Sequence, residues 1–139
     1  MELSTTKLPS RQQILSLYDS VGWSAYTDDP EVLIQALANS TFAVYAYDQQ
    51  HQLAGLIRVI SDNATICYVQ DILVRPSAQR SGIGRALFDA VLQKFQHVRQ
   101  LVLITDDMPQ QRAFYESMGL TEGAEFEHGV IRVFARFAQ

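Results

Sequence analysis

Val74-Arg75-Pro76-Ser77-Ala78-Gln79-Arg80-Ser81-Gly82-Ile83-Gly84-Arg85-Ala86-Leu87 is the stretch on which the reading of this chain turns. It begins at the end of an apolar strand, Ile72-Leu73-Val74, which a proline stops. A polar loop with Gln79, Arg80, Ser81 and two glycines follows, and then a helix with an apolar face. A glycine-bearing loop that runs into a helix start is an anion site. The first amides of a helix have no acceptor within it, and the helix dipole places partial positive charge there. Arg80 and Arg85 add charge suited to phosphate. The loop therefore predicts a phosphorylated ligand.

The flanking sequence supplies the scaffold. Ile14, Leu15, Leu17, Tyr18 and Val21 recur at helical spacing over residues 11–22, with Ser10 as N-cap. Thr27-Asp28-Asp29-Pro30 opens a second helix, with Val32, Leu33, Ala36 and Leu37 on its inner face. Residues 41–47 and 53–61 read as strands that flank Asp48-Gln49-Gln50-His51-Gln52, a hairpin pattern, and 64–74 as a third long strand. The helix from about Gly82 to Phe95 carries Ile83, Leu87, Val91, Leu92 and Phe95 at core spacing. Leu101-Val102-Leu103-Ile104 is short and wholly apolar, the mark of a strand buried on both faces. Pro109 starts a helix through Phe114 and Tyr115 that Gly119 ends, and Val130 to Phe137 predicts a last strand. The order implies an α/β (α+β) layer fold around one sheet.

At 139 residues the chain is expected to form a single domain, residues 1–139. Hydrophobic residues at 47% and charged residues at 19% indicate a globular protein. Eleven Lys and Arg against fifteen Asp and Glu give a formal charge of −4, which argues against a nucleic-acid partner. No apolar run is long enough for a membrane span, and no leader pattern opens the chain. Cys67 is the only cysteine, so no internal disulfide is expected and a reducing cytoplasm is the natural setting. It lies in Ile66-Cys67-Tyr68-Val69, where a thiol reads as a small core residue rather than a nucleophile. No histidine or cysteine pair has metal-ligand spacing, so no metal is expected.

Two familiar glycine loops fail on this sequence. The dinucleotide fingerprint requires a small residue where Leu87 stands, and the nucleotide-triphosphate loop requires Lys-Ser/Thr where Arg85-Ala86 stands. The whole segment, Gln-x-x-Gly-x-Gly after a Val-x-Pro strand end, resembles the acyl-CoA-binding motif of the GNAT acetyltransferase superfamily. Ala113-Phe114-Tyr115-Glu116-Ser117-Met118-Gly119-Leu120 is similar to the Phe-Tyr-x-x-x-Gly-Phe segment those enzymes carry. The resemblance covers roughly residues 10–137. A finer likeness, in Val21 to Thr27, Arg58 to Asp62 and Val69 to Val74, is to a bacterial branch similar to plant serotonin-type N-acetyltransferases. One departure is Thr105-Asp106-Asp107-Met108, which lacks the asparagine many members place near the pantetheine arm; Asp106 or Asp107 takes that place.

The resemblance implies a GNAT-like fold, with a mixed, mostly antiparallel sheet and helices on both faces. It also implies acetyl-CoA as donor and transfer of the acetyl group to an amine. Gln79, Arg80, Ser81, Gly82, Ile83, Gly84 and Arg85 would hold the pyrophosphate. Ile72, Leu73 and Val74 would take the pantetheine arm, beside a bulge near Ile72 and Leu73, with Asp106 and Phe114 completing the donor site. Tyr115 would be the general acid. Asp71, a carboxylate in an apolar strand, reads either as the general base or as a structural acceptor. Tyr68, Gln70, Trp23 and Tyr26 are candidates for the acceptor cleft, and Arg58 would contact the substrate or pair with Asp71. The favoured function is an acetyl-CoA-dependent N-acetyltransferase acting on a small primary amine. The alternatives are an acyl-CoA sensor with little catalysis and an acetyltransferase for protein lysines or N-termini. The aromatic end of the last strand, Phe134 and Phe137, leaves room for a homodimer.

Overall fold

The computed structural model describes residues 1–138. Residues from Met1 to Ile104 form one compact unit and those from Thr105 onward a second. The first unit is built on a five-stranded sheet in the order β1-β2-β3-β4-β5. Its strands are β1 (Glu2–Ser4), β2 (Phe42–Tyr47), β3 (Leu53–Ser61), β4 (Ile66–Val74) and β5 (Gln100–Leu103). Three neighbouring pairs are antiparallel and the last, β4 with β5, is parallel. The sheet is thus mixed and mostly antiparallel, as the resemblance implies. The three-residue β1 was not legible in the pattern.

Helix α1 (Arg11–Ser20) starts at a capping box: Ser10 accepts from the Gln13 amide, and the Gln13 side chain accepts from the Ser10 amide. After it come a single turn, α2 (Ser24–Thr27), and α3 (Pro30–Ala38). Ile14, Leu17, Tyr18, Leu33 and Leu37 pack with Tyr45, Tyr47, Leu56 and Leu73 into one core. Val32, expected on the inner face, is exposed, because Leu33 and Leu37 set the buried arc of α3 and Val32 falls outside it.

Helix α4 (Ile83–Lys94) covers the opposite face. Along β3 the side chains alternate, so Leu56 joins the α1 core while Gly55 turns to α4. A Cβ at Gly55 would stand 2.9 Å from the Leu73 carbonyl oxygen and 3.2 and 3.3 Å from Ile83 and Leu87. The missing side chain lets α4 sit close on the sheet. Ile83, Leu87, Phe88 and Val91 are buried there, and Phe95 meets Phe42 edge to face at 5.8 Å. Burying each such side chain contributes roughly 1.5–3 kcal/mol. Helices therefore lie on both faces of the sheet.

Strand β5 is only half-buried, and Ile104 is exposed beyond its end. The expectation of a strand buried on both faces fails because β5 is the edge of the sheet. In the second unit, α5 (Pro109–Ser117) forms where its proline predicts. Arg112 reaches Glu116 at 3.2 Å and Glu122 at 2.6 Å, which folds the following turn back on the helix. The strand expected from Val130 to Phe137 does not form among the described residues. Its β-forming side chains lack a ladder partner there, and propensity alone does not make a strand. Phe134 is 91% exposed.

Candidate active site

Parallel pairing of β4 with β5 runs from Ile66 opposite Gln100 to Val69 opposite Leu103 and stops. Strand β4 continues to Val74. From Gln70 to Val74 its outer side has no strand beside it among the described residues. The antiparallel register against β3 shifts at the same place. Arg58 faces Asp71, but Val59 faces Val69, so Gln70 is an extra residue. That is a β-bulge, which kinks the strand and re-aims its peptide groups. The bulge expected near Ile72 and Leu73 therefore falls at Gln70, because Arg58 and Asp71 hold the register on one side of it.

The open edge leads into the glycine loop. The Arg75 amide donates to the Ala54 carbonyl at 2.7 Å, and its guanidinium reaches the Leu53 carbonyl and the Ser16 hydroxyl at 3.2 Å. These bonds anchor the loop to β3 and α1, a role for Arg75 that the sequence did not suggest. Gln79 donates its side-chain N–H to the Val74 carbonyl at 3.1 Å and closes the loop on the strand end. Ser81 donates to the Ala78 carbonyl. Arg80 has φ +65° and Gly82 φ +87°, both left-handed. A non-glycine residue held there costs of order 1–2 kcal/mol, so the loop stores strain at Arg80. Nothing lies within 4 Å of a Cβ built on Gly82. The Ala86 amide bonds to the Gly82 carbonyl at 3.0 Å, so the amides of Ile83 and Gly84 stand ahead of the helix's own ladder. Arg80 and Arg85 are exposed beside them. The expected cofactor residues Gln79 to Arg85 thus form one loop and helix start. Ile72, Leu73 and Val74 lie on the open edge.

Gln70 marks the other end of that edge. Here Asp71 is 3% exposed and Arg58 5%. Arg58 Nε donates to Asp71 Oδ2 at 2.6 Å. The Tyr18 hydroxyl donates to the same oxygen at 2.9 Å and the Tyr26 hydroxyl to Oδ1 at 2.9 Å. The Gln70 side chain donates to the Tyr26 oxygen at 3.3 Å. Burial opposes the charge on Arg58, but the charge and hydrogen bond of Asp71 outweigh it and hold the guanidinium above its ordinary value. Burial first, and then the Asp71 charge, push the Tyr18 phenol far up, so it remains a donor. Removing one member of such a buried pair costs about 3–5 kcal/mol. Trp23 and Tyr26 pack with Tyr18 at ring distances of 5.9 and 5.2 Å. Tyr68 lies one bulge away, its phenol raised by burial and then by Tyr26 and Asp71. Of the expected acceptor residues, Tyr26, Arg58, Tyr68 and Gln70 therefore gather around Asp71, while Trp23 packs on the Tyr18 and Tyr26 rings. Tyr18 was read only as core. Its signal was a tyrosine on a buried helical face, where a hydroxyl needs a partner.

In the second unit, Phe114 and Tyr115 pack edge to face at 5.2 Å. Burial, with the charge of Asp106 behind it, pushes the Tyr115 phenol up to about 12. Cys67 is buried and its thiol is pushed up to about 11 by burial, as befits a core residue. Among the described residues no helix is long and apolar enough to cross a membrane, and no three His, Cys, Asp or Glu side chains cluster as metal ligands.

Residues 7–134 match the acetyltransferase (GNAT) domain family. An acetyltransferase of the GNAT family from Streptococcus pneumoniae is similar in structure, with TM-score 0.80 and 31% identity over 98% of each chain. An aminoglycoside 6'-N-acetyltransferase complexed with coenzyme A shares the fold at TM-score 0.66 and 22% identity, over 78% of this chain and 63% of that one. A Gibberella zeae protein named as an acetyltransferase is 29% identical over 82 residues, 57% of this chain. The chain matches 45% of that relative's length.

Proposed function

Because the chain belongs to the acetyltransferase (GNAT) family, we propose that it transfers an acetyl group from acetyl-CoA to the primary amine of a small molecule, with both substrates bound at once. The observation that carries this reading is the unfinished sheet. Strand β4 runs past the end of its parallel neighbour and leads into a loop whose amides open α4.

The residues fit the coenzyme. Space is open at Gly82, and the first turn of α4 offers donors with arginines beside them. The free side of β4 offers peptide groups to an amide-bearing arm, as a missing strand would be met. From Val74 to Gln70 is about 13 Å along a strand. A phosphate group at the loop and a reacting group at the bulge would then lie at opposite ends of one strand.

Acetyl-CoA would supply the acetyl group as a thioester. The amine nitrogen bonds to the carbonyl carbon as the carbon–sulfur bond breaks. The amine proton leaves to water and the departing sulfur takes a proton. Peptide N–H groups turned outward at the bulge would hold the carbonyl oxygen as charge builds on it. Tyr115 is the proposed proton donor. Support comes from its place in the Phe-Tyr segment and from a phenol that keeps its proton at neutral pH. Trp23, Tyr26 and Tyr68 would wall the acceptor end with rings suited to a compact amine. The buried single thiol suits a reducing, cytoplasmic setting.

The test is thiol release from acetyl-CoA by the purified protein over a panel of small amines and lysine peptides. Turnover with small amines supports the reading. Turnover with peptides alone, or none with any acceptor, overturns it.

A further inference from the structure

The proposed reaction makes no use of the most heavily buried charges in the molecule, Arg58 and Asp71. Their position is informative. They face each other across β3 and β4, and the register breaks at the very next pair. Both Asp71 oxygens already accept: Oδ2 from Arg58 and Tyr18, Oδ1 from Tyr26. The Tyr26 hydroxyl in turn receives the Gln70 side chain at 3.3 Å and lies 3.4 Å from an Arg58 nitrogen. Gln70 is the extra residue of the bulge and is exposed at the open edge. A charge buried this deeply has to be matched in place, so it fixes whatever it touches.

We propose that the Arg58–Asp71 pair is a positioning clamp. It sets the bulge at Gln70 and, through the Tyr26 hydroxyl, holds Gln70 at the acceptor end of the edge. Asp71 thereby acts through geometry and does not take the proton of the amine. This inference rests on the acetyl-transfer reading.

Neutral replacements separate the clamp from a base. Asp71→Asn strands the charge of Arg58, and kcat is expected to fall about a hundredfold, while KM for acetyl-CoA stays within about twofold. The double variant Arg58→Gln with Asp71→Asn removes both charges and leaves two amides that can pair. It is expected to regain at least about tenfold in kcat over Asp71→Asn. A folded double variant as slow as the single one overturns the proposal, because a missing base is not restored by removing its partner.

Tyr26→Phe keeps the ring and deletes the hydroxyl, so it serves even where Asp71→Asn does not fold. Its kcat is expected to fall about tenfold with KM for acetyl-CoA unchanged, and an unaltered kcat overturns the proposal. If the wild-type protein turns over no acceptor, the acetyl-transfer reading fails by itself. Hydrogen exchange then decides the clamp. Tyr26→Phe should speed exchange in peptides covering residues 69–74 and leave α4 unchanged, whereas equal rates at 69–74 overturn it.

Discussion

The Tyr18 hydroxyl and the Asp71 carboxylate meet at 2.9 Å although 53 positions separate them in the chain. That bond ties the first long helix to the strand that carries the open edge. Because the phenol is held protonated well above its ordinary range, the bond does not titrate away in mildly alkaline buffer. Helix α1, with the Trp23 and Tyr26 rings packed on Tyr18, is thereby tied to the strand that carries the bulge.

Gly82→Val tests the phosphate loop. Valine at φ +87° is strained, and the residue sits where an anion would approach the first amides of α4. Stability is expected to drop by about 1–2 kcal/mol and acetyl-CoA affinity to be lost, as read by denaturant titration and calorimetry. Retained affinity would place the donor elsewhere.

Tyr115→Phe tests the proton donor. Burial and the Asp106 charge both disfavour the phenolate and set its titration near 12. A donor must keep its proton, so the alkaline fall in kcat due to this group should be centred near 12 rather than the ordinary value of about 10. Removing the hydroxyl should lower kcat about a hundredfold, abolish that limb and leave acetyl-CoA affinity intact. Turnover at the wild-type rate would remove the role.

Gly55→Ala tests the contact between α4 and the sheet. The added methyl would stand 2.9 Å from a backbone oxygen, which cannot swing aside. A loss of about 1–3 kcal/mol in urea is expected, with the denaturant slope unchanged. A variant as stable as the wild type would mean that the Leu73 peptide of β4, and not only the side chains of α4, can give way.

Asp62→Ala tests the turn between β3 and β4. The carboxylate accepts from the Thr65 hydroxyl and from the amides of Ala64, Thr65 and Ile66. The Thr65 side chain, followed by those amides, holds Asp62 well below the usual carboxylate range. A depressed value means that its stabilisation is complete above the ordinary carboxylate pKa and disappears as the pH falls below it. Melting curves of wild type and variant should differ at pH 7 and converge in acid. A gap that persists in acid would show that the ionised form is not what matters.

Most of the scaffold could be read from local pattern. The helices α1, α4 and α5 carry their own start signals in Ser10, Gly82 and Pro109, and the hairpin its polar turn. The loop from Gln79 into α4 was legible as a turn that opens a helix because its residues are contiguous in sequence. The Asp71 network was only half legible: a carboxylate among Val69, Ile72 and Leu73 announces that it needs a partner but not which one. Tyr18 looked like any helical core residue until the fold brought it to Asp71. The bulge escaped because register is a property of two strands, and its position depends on the pairing of Arg58 with Asp71. The segment from Val130 to Phe137 misled for the complementary reason, since strand-forming side chains need a neighbour that composition cannot name.

The early end of β5 has a consequence for how the protein can be changed. A bare β-edge is normally a hazard, because any extended chain can zip onto it. Here the bare stretch is short, and Arg75-Pro76 close it off. Each residue added to the β4–β5 ladder would make the fold tougher and the bare edge shorter by the same step. On the proposed reading, thermal robustness and room for the donor's arm are thereby set against each other at one boundary, the position of Leu103.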